Sequence, residues 1–174
     1  MNTPNKLTTL RVILIPVMLI VLYWGFPYSN YVALGIFCLA SVTDYFDGRL
    51  ARSRDQVTDF GKFMDPLADK VLVIATMIWF VQTGVIPAWA AIIVVARELA
   101  VTGMRLLAAA DGRVIAAAWS GKIKTASTMV CLIVLFFPVG EIVRWVCVGI
   151  IVATTVYSGA EYLYKNRHLF SQMK

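Results

Sequence analysis

Residues 35–80 read GIFCLASVTDYFDGRLARSRDQVTDFGKFMDPLADKVLVIATMIWF. An apolar run ends near Thr43, a polar stretch with six aspartates follows, and a second apolar run begins at Val71. Both runs are continuous and lack the alternation of a half-buried strand, so each reads as a helix. Asp44 and Asp47 are three residues apart at the end of the first run. Asp65 and Asp69 are four apart at the start of the second, so each pair shares one helix face. Pro66 suits the first turn of the second helix, which makes Asp65 its candidate cap and sets Asp69 one turn inside. Two antiparallel helices of this kind point four carboxylates at one another.

The same apolar pattern repeats on either side. Six segments are predicted, from about Leu7 to Phe26, Tyr28 to Thr43, Val71 to Val85, Pro87 to Leu107, Trp119 to Phe137, and Arg144 to Tyr164. The 174 residues fit one domain, and they are 60% hydrophobic and only 15% charged, which leaves too little polar material to clothe a soluble bundle. The expected fold is therefore all-α, an integral membrane bundle of six transmembrane helices over residues 1–174. Flanking Lys and Arg lengthen the shorter apolar cores by reaching toward headgroups. Gly25-Phe26-Pro27, Gly84 with Pro87, and Pro138 with Gly140 mark three breaks that carry almost no charge. Setting Arg97 aside, 14 of the other 15 Lys and Arg lie on the opposite side, and only Arg144 does not. That bias places both termini and the two longer loops in the cytoplasm.

The net charge of +6 is spread over short loops between apolar runs, a pattern for membrane lipid headgroups or phosphorylated substrates and not for nucleic acid. Cys38, Cys131 and Cys147 sit inside apolar runs and read as small core residues without disulfides, and His168 lies in a polar tail. The N-terminal run lacks a small-residue cleavage site and reads as a retained span.

Four carboxylates at close range repel, and at a membrane face they are poorly hydrated. Either several are protonated or cations neutralise them. Oxygen-only ligation suits Mg²⁺ or Mn²⁺, and two divalent ions balance four negative charges in the arrangement that clamps phosphate oxygens. Asp55 and Asp59, beside Arg54 and Lys62, read as solvated loop residues.

The spacing Asp44-x₂-Asp47-Gly48-x₂-Ala51-Arg52-x₈-Gly61-x₃-Asp65-x₃-Asp69 resembles, at all eight positions, the signature of the CDP-alcohol phosphatidyltransferases. At average usages of roughly 5–7%, eight such positions coincide by chance on the order of once in 10⁹ to 10¹⁰. The resemblance implies a six-helix membrane enzyme with two metal ions, one held by Asp44, Asp47 and Asp65 and the other by Asp44, Asp65 and Asp69. It also implies that these ions grip the pyrophosphate of CDP-diacylglycerol, with Asp69 as the base. Gly48 would let the nucleotide approach the backbone or serve helix packing. Arg52 would meet the CDP phosphates or a headgroup, and Asn5, Thr8 and Thr58 would contact the cytidine end. PNKLTTLRVILIP, ARELAVTGMR and GKIKT look most like the bacterial members that use sn-glycerol 3-phosphate as acceptor. Those members imply a homodimer in the bacterial cytoplasmic membrane, with the active site on the cytoplasmic face. Inositol phosphate, serine or phosphatidylglycerol are the alternative acceptors.

An anionic acceptor needs its own cations. Arg97 lies inside the fourth run beside Glu98, and an arginine there is a functional candidate. Arg105 follows two turns later on nearly the same face, Lys122 and Lys124 flank Ile123 at the start of the fifth run, and Arg11 lies in the first. These five are the candidates for holding the acceptor phosphate. The structural alternative makes Arg97–Glu98 a simple pair and the lysines interfacial anchors. A cation transporter would also carry acids within its spans, but here they bracket one loop and no repeated halves are visible. A purely lipid-binding protein would need no such spacing.

The signature predicts a graded mutational pattern. Asp44→Asn, Asp65→Asn and Asp69→Asn should each remove nearly all transferase activity, whereas Asp55→Asn and Asp59→Asn should be mild. Equal losses across all five, measured on membrane-inserted protein, would indicate a diffuse charge effect instead.

Overall fold

A computed structural model describes residues 3–54, 59–110 and 118–167, with side chains at 9–43, 67–109 and 118–167. Six helices follow one another: α1 (Thr3–Trp24), α2 (Ser29–Arg54), α3 (Asp59–Gln82), α4 (Ala88–Ala110), α5 (Trp119–Leu135) and α6 (Glu141–Lys165). Among the described residues there is no strand, so the all-helical expectation holds. The chain divides into two compact units, Met1–Trp79 and Phe80–Lys174, with the boundary inside α3.

Two helices outrun their apolar segments. α2 continues about three turns past Thr43 to Arg54, and α3 begins about three turns before Val71. The arginines, leucine and alanine of this stretch are good helix formers, so backbone bonding continues where the hydrophobic pattern stops. Gly48 and Arg52 are therefore helical and not loop residues. Asp65 does not cap α3: the helix starts at Asp59, which puts Asp65 and Pro66 in its second turn.

Each unit is organised by stripes of buried residues spaced alternately three and four apart, the periodicity of one helix face. In the first unit α1 buries Arg11, Ile15, Met18 and Leu22, and α2 buries Ala33, Phe37 and Ala40. α3 joins α1 through Tyr23 and Trp79, whose rings meet edge-on with centroids 5.0 Å apart. The Thr76 hydroxyl also lies 3.9 Å from the Met18 sulfur. In the second unit α6 packs against both α4 and α5. Its stripe runs Val148, Ile151, Thr155, Ser158 and Tyr162.

The turn after α3 explains one glycine. Val85 N–H donates to the Phe80 carbonyl at 2.8 Å and Gly84 N–H to the Val81 carbonyl at 3.1 Å. This nested pair is a Schellman closure, which requires a left-handed residue, and Gly84 has φ +73°. Arg144, the one cation on the charge-poor side, donates to the Gly84 carbonyl at 3.3 Å and to Glu141 at 3.2 Å, so it braces this turn and the start of α6.

Many large apolar side chains point outward, among them Trp24, Ile92, Leu99, Trp119 and Ile142, each more than 60% exposed. Among the described side chains, Glu141–Lys165 is long and apolar enough to cross a membrane by length and composition, and Thr9–Trp24 and Ser29–Thr43 are the described apolar parts of α1 and α2. α5 has 17 residues, and charges interrupt the apolar parts of α3 and α4.

Gly84→Ala should cost about 1 kcal/mol, because a Cβ is disfavoured at positive φ even though nothing lies within 4 Å of it. Gly149→Ala, in the exposed interior of α6 with equal space, should be neutral or stabilise by up to about 1 kcal/mol. Thermal unfolding of the detergent-solubilised variants by circular dichroism checks the opposite signs.

Candidate active site

In the first unit Asp44 and Asp47 belong to α2, and Asp65 and Asp69 to α3. Within each helix the two members of a pair share one helical face, about 4.5 Å and 6 Å apart along the axis. Asp69 is half-buried. The side chains of Asp44, Asp47, Gly48, Arg52, Asp65, Asp59, Asn5 and Thr8 lie outside the described residues, as do Asp55, Thr58 and His168 altogether. Among the described residues no three His, Cys, Asp or Glu come together. The donor chemistry still fits hard divalent ions, because four carboxylates in two same-face pairs offer oxygen ligands alone.

The second unit holds a buried charge cluster whose members come from three helices. Arg97 of α4 falls on the interior stripe between Val94 and Val101. Its Nη1 donates to Glu98 Oε1 at 2.9 Å, and its Nη2 donates to the Ser158 hydroxyl of α6 at 2.6 Å. Lys124 of α5, only 3% exposed, donates from Nζ to the same Glu98 oxygen at 2.6 Å. Two glycines make room for the Arg97 side chain, one beside its stem and one beside its guanidinium. A Cβ on Gly159 would sit 3.2 Å from Arg97 Cγ, and one on Gly121 would sit 3.6 Å from Nη2. Among the described residues the cluster brings together two positive charges and one negative, and the buried Arg97 Nε has no hydrogen-bond partner there.

The remaining cations are placed differently. Arg105 is exposed, with its guanidinium 5.7 Å from the centre of the Tyr162 ring, which packs with Val101 and Met104. Lys122 is exposed and lies 5.0 Å over the Trp119 ring, outside the buried cluster. Arg11 belongs to the first unit, where it is 1% exposed on the α1 stripe.

Comparison with known proteins bears on what these elements serve. The sequence profile of the CDP-alcohol phosphatidyltransferase family matches residues 1–157. The chain belongs to the CDP-alcohol phosphatidyltransferase family. It is 41% identical to the CDP-diacylglycerol–glycerol-3-phosphate 3-phosphatidyltransferase of Bacillus subtilis (strain 168), with 95% of each chain covered. It is 39% identical to the protein of the same name from Shigella flexneri serotype 5b (strain 8401), with 93% of each covered. As a CDP-alcohol phosphatidyltransferase the chain is a phosphatidyl-transferring enzyme.

In this phosphatidyltransferase the charge cluster and its surroundings also contain residues that local sequence reading did not assign. Glu98 was visible as an acid inside an apolar run, a signal in itself. Ser158, Gly159 and Tyr162 were not, since a serine and a glycine on an apolar helix read as ordinary small packing residues.

Ser158→Ala would leave Arg97 Nη2 buried without its partner. The expected loss is about 1–3 kcal/mol, read as a lower thermal midpoint of the purified enzyme in detergent. An unchanged midpoint would mean that the guanidinium finds another acceptor.

Proposed function

We propose that this chain transfers the phosphatidyl group of CDP-diacylglycerol to sn-glycerol 3-phosphate, giving phosphatidylglycerophosphate and CMP. The observation that carries the choice of acceptor is the buried cluster of Arg97, Glu98 and Lys124. Its net charge of +1 and its unpartnered Arg97 Nε suit an anionic phosphomonoester inside an otherwise apolar helical unit. The names of the relatives agree with this acceptor.

In this reading Arg97 and Lys124 hold the acceptor's phosphate from within, and Arg105, braced on Tyr162, meets it from the exposed side. Lys122 and Arg11 complete the set of cations assigned to the acceptor. Asp44, Asp47, Asp65 and Asp69 would hold two Mg²⁺ or Mn²⁺ ions, which when bound neutralise the carboxylates and the pyrophosphate of the nucleotide. Asn5, Thr8, Gly48, Arg52 and Thr58 serve the CDP end. The acceptor hydroxyl gives its proton to Asp69, its oxygen bonds to the phosphorus bearing diacylglycerol, and the bond from that phosphorus to CMP breaks. Metal ligation lowers a carboxylate's basicity, so Asp69 cannot do this alone, and the positive charge beside the hydroxyl eases its ionisation.

The outward-facing apolar side chains and the 14-to-1 cation bias support six spans with both termini in the cytoplasm. They also support placement of the enzyme in a bacterial inner membrane, where CDP-diacylglycerol and membrane lipids are at hand; the homodimer rests on family resemblance alone.

Purified enzyme with CDP-diacylglycerol should release CMP when given sn-glycerol 3-phosphate, and far less with serine, inositol phosphate or phosphatidylglycerol. EDTA should stop release and Mg²⁺ or Mn²⁺ should restore it; full turnover in EDTA would remove the metal assignment. Arg105→Ala should raise the acceptor KM about ten- to hundredfold, the effect of one charge-assisted contact. A defect falling mainly on the CDP-diacylglycerol KM would overturn the division of substrate sites.

A further inference from the structure

Glu98 is the one member of the buried cluster that the acceptor-binding reading leaves without a task. An acid beside a site for a phosphate dianion weakens binding electrostatically, so its presence needs a compensating role. The geometry supplies one. A single carboxylate oxygen, Oε1, accepts from Arg97 Nη1 at 2.9 Å and from Lys124 Nζ at 2.6 Å, and so ties a cation of α4 to a cation of α5. Ser158 of α6 takes the other terminal nitrogen of Arg97 at 2.6 Å. Both Arg97 terminal nitrogens are thus committed, with Gly159 against the aliphatic stem, Gly121 beside Nη2, and Nε without a hydrogen-bond partner. All of these side chains are largely buried, at 13% exposure for Arg97, 11% for Glu98 and 4% for Lys124. Two buried like charges without the acid between them would repel, and each would turn toward whatever solvent or headgroup it could reach.

We infer that Glu98 is a positioning residue for the acceptor: its carboxylate bridge holds Arg97 and Lys124 together in the orientation that receives the phosphomonoester. It contacts the two cations and not the reacting atoms. The inference rests on the assignment of Arg97 and Lys124 to the acceptor phosphate. It adds that the preorganisation of those cations outweighs the repulsion between Glu98 and the bound anion.

Steady-state kinetics on purified enzyme, varying each substrate in turn, test it. Glu98→Gln keeps the shape but loses the charge, and it should raise the KM for sn-glycerol 3-phosphate about ten- to hundredfold. The CDP-diacylglycerol KM should stay within about twofold and kcat should change much less than the acceptor KM. Glu98→Asp keeps the charge one methylene shorter and should give a smaller increase of the same kind, about threefold to tenfold. If Glu98→Gln cannot be recovered in folded form, Glu98→Asp decides by the same split. An acceptor KM that is unchanged or lowered would overturn the inference, as would equal increases for both substrates. Lys124→Gln separates the two levels. If it raises the acceptor KM while the Glu98 variants do not, only the positioning role fails. If it leaves the acceptor KM unchanged, the acceptor-site assignment itself fails.

Discussion

A charge taken out of water among packed helices is tolerated only when an opposite charge or a full set of hydrogen bonds goes with it. That constraint governs the second unit of this protein. Glu98 Oε1 receives both Arg97 Nη1 and Lys124, and Ser158 receives Arg97 Nη2. The bridge therefore lets two cations occupy positions that the helical periodicity would otherwise reserve for aliphatic side chains. Without it, α5 would present a buried lysine to the stripe of α6, and α4 would present a buried arginine.

The polar residues are not scattered along those stripes. On α5 the buried positions change from Ser120, Lys124 and Thr128 to Cys131, Leu132 and Leu135. On α6 they change from Cys147, Val148 and Ile151 to Thr155, Ser158 and Tyr162. One end of the unit is an ordinary apolar core that holds the helices together, while the other buries polar side chains around the Glu98 bridge. In the first unit the sequences of α2 and α3 likewise pass from apolar runs to paired aspartates.

Much of this was legible in the chain. The continuous apolar runs predicted six helices, and six are present among the described residues. The eight-position signature from Asp44 to Asp69 pointed to the family by resemblance, and the family profile matches residues 1–157. Helix ends were less legible. Hydrophobic pattern reports where a helix meets apolar surroundings, whereas its backbone bonds continue through Arg49, Arg52 and Arg54 at one end and Asp59 and Lys62 at the other. That difference moved Asp65 from a cap to a helix interior.

The sequence by itself determined the helical class, the position of the acidic signature and the list of cations available to an anionic acceptor. Each of these follows from local periodicity or from spacing within a single helix. Only the tertiary structure decided how those cations differ: Lys124 is buried on Glu98, Lys122 lies exposed over Trp119, and Arg97 is seated between two glycines and bound to Ser158. Lys122 and Lys124 are two residues apart and chemically identical, but a helix turns about 200° between them. Which of the two faces the interior depends on what α4 places opposite, and Glu98, the partner of Lys124, lies 26 residues away in the chain.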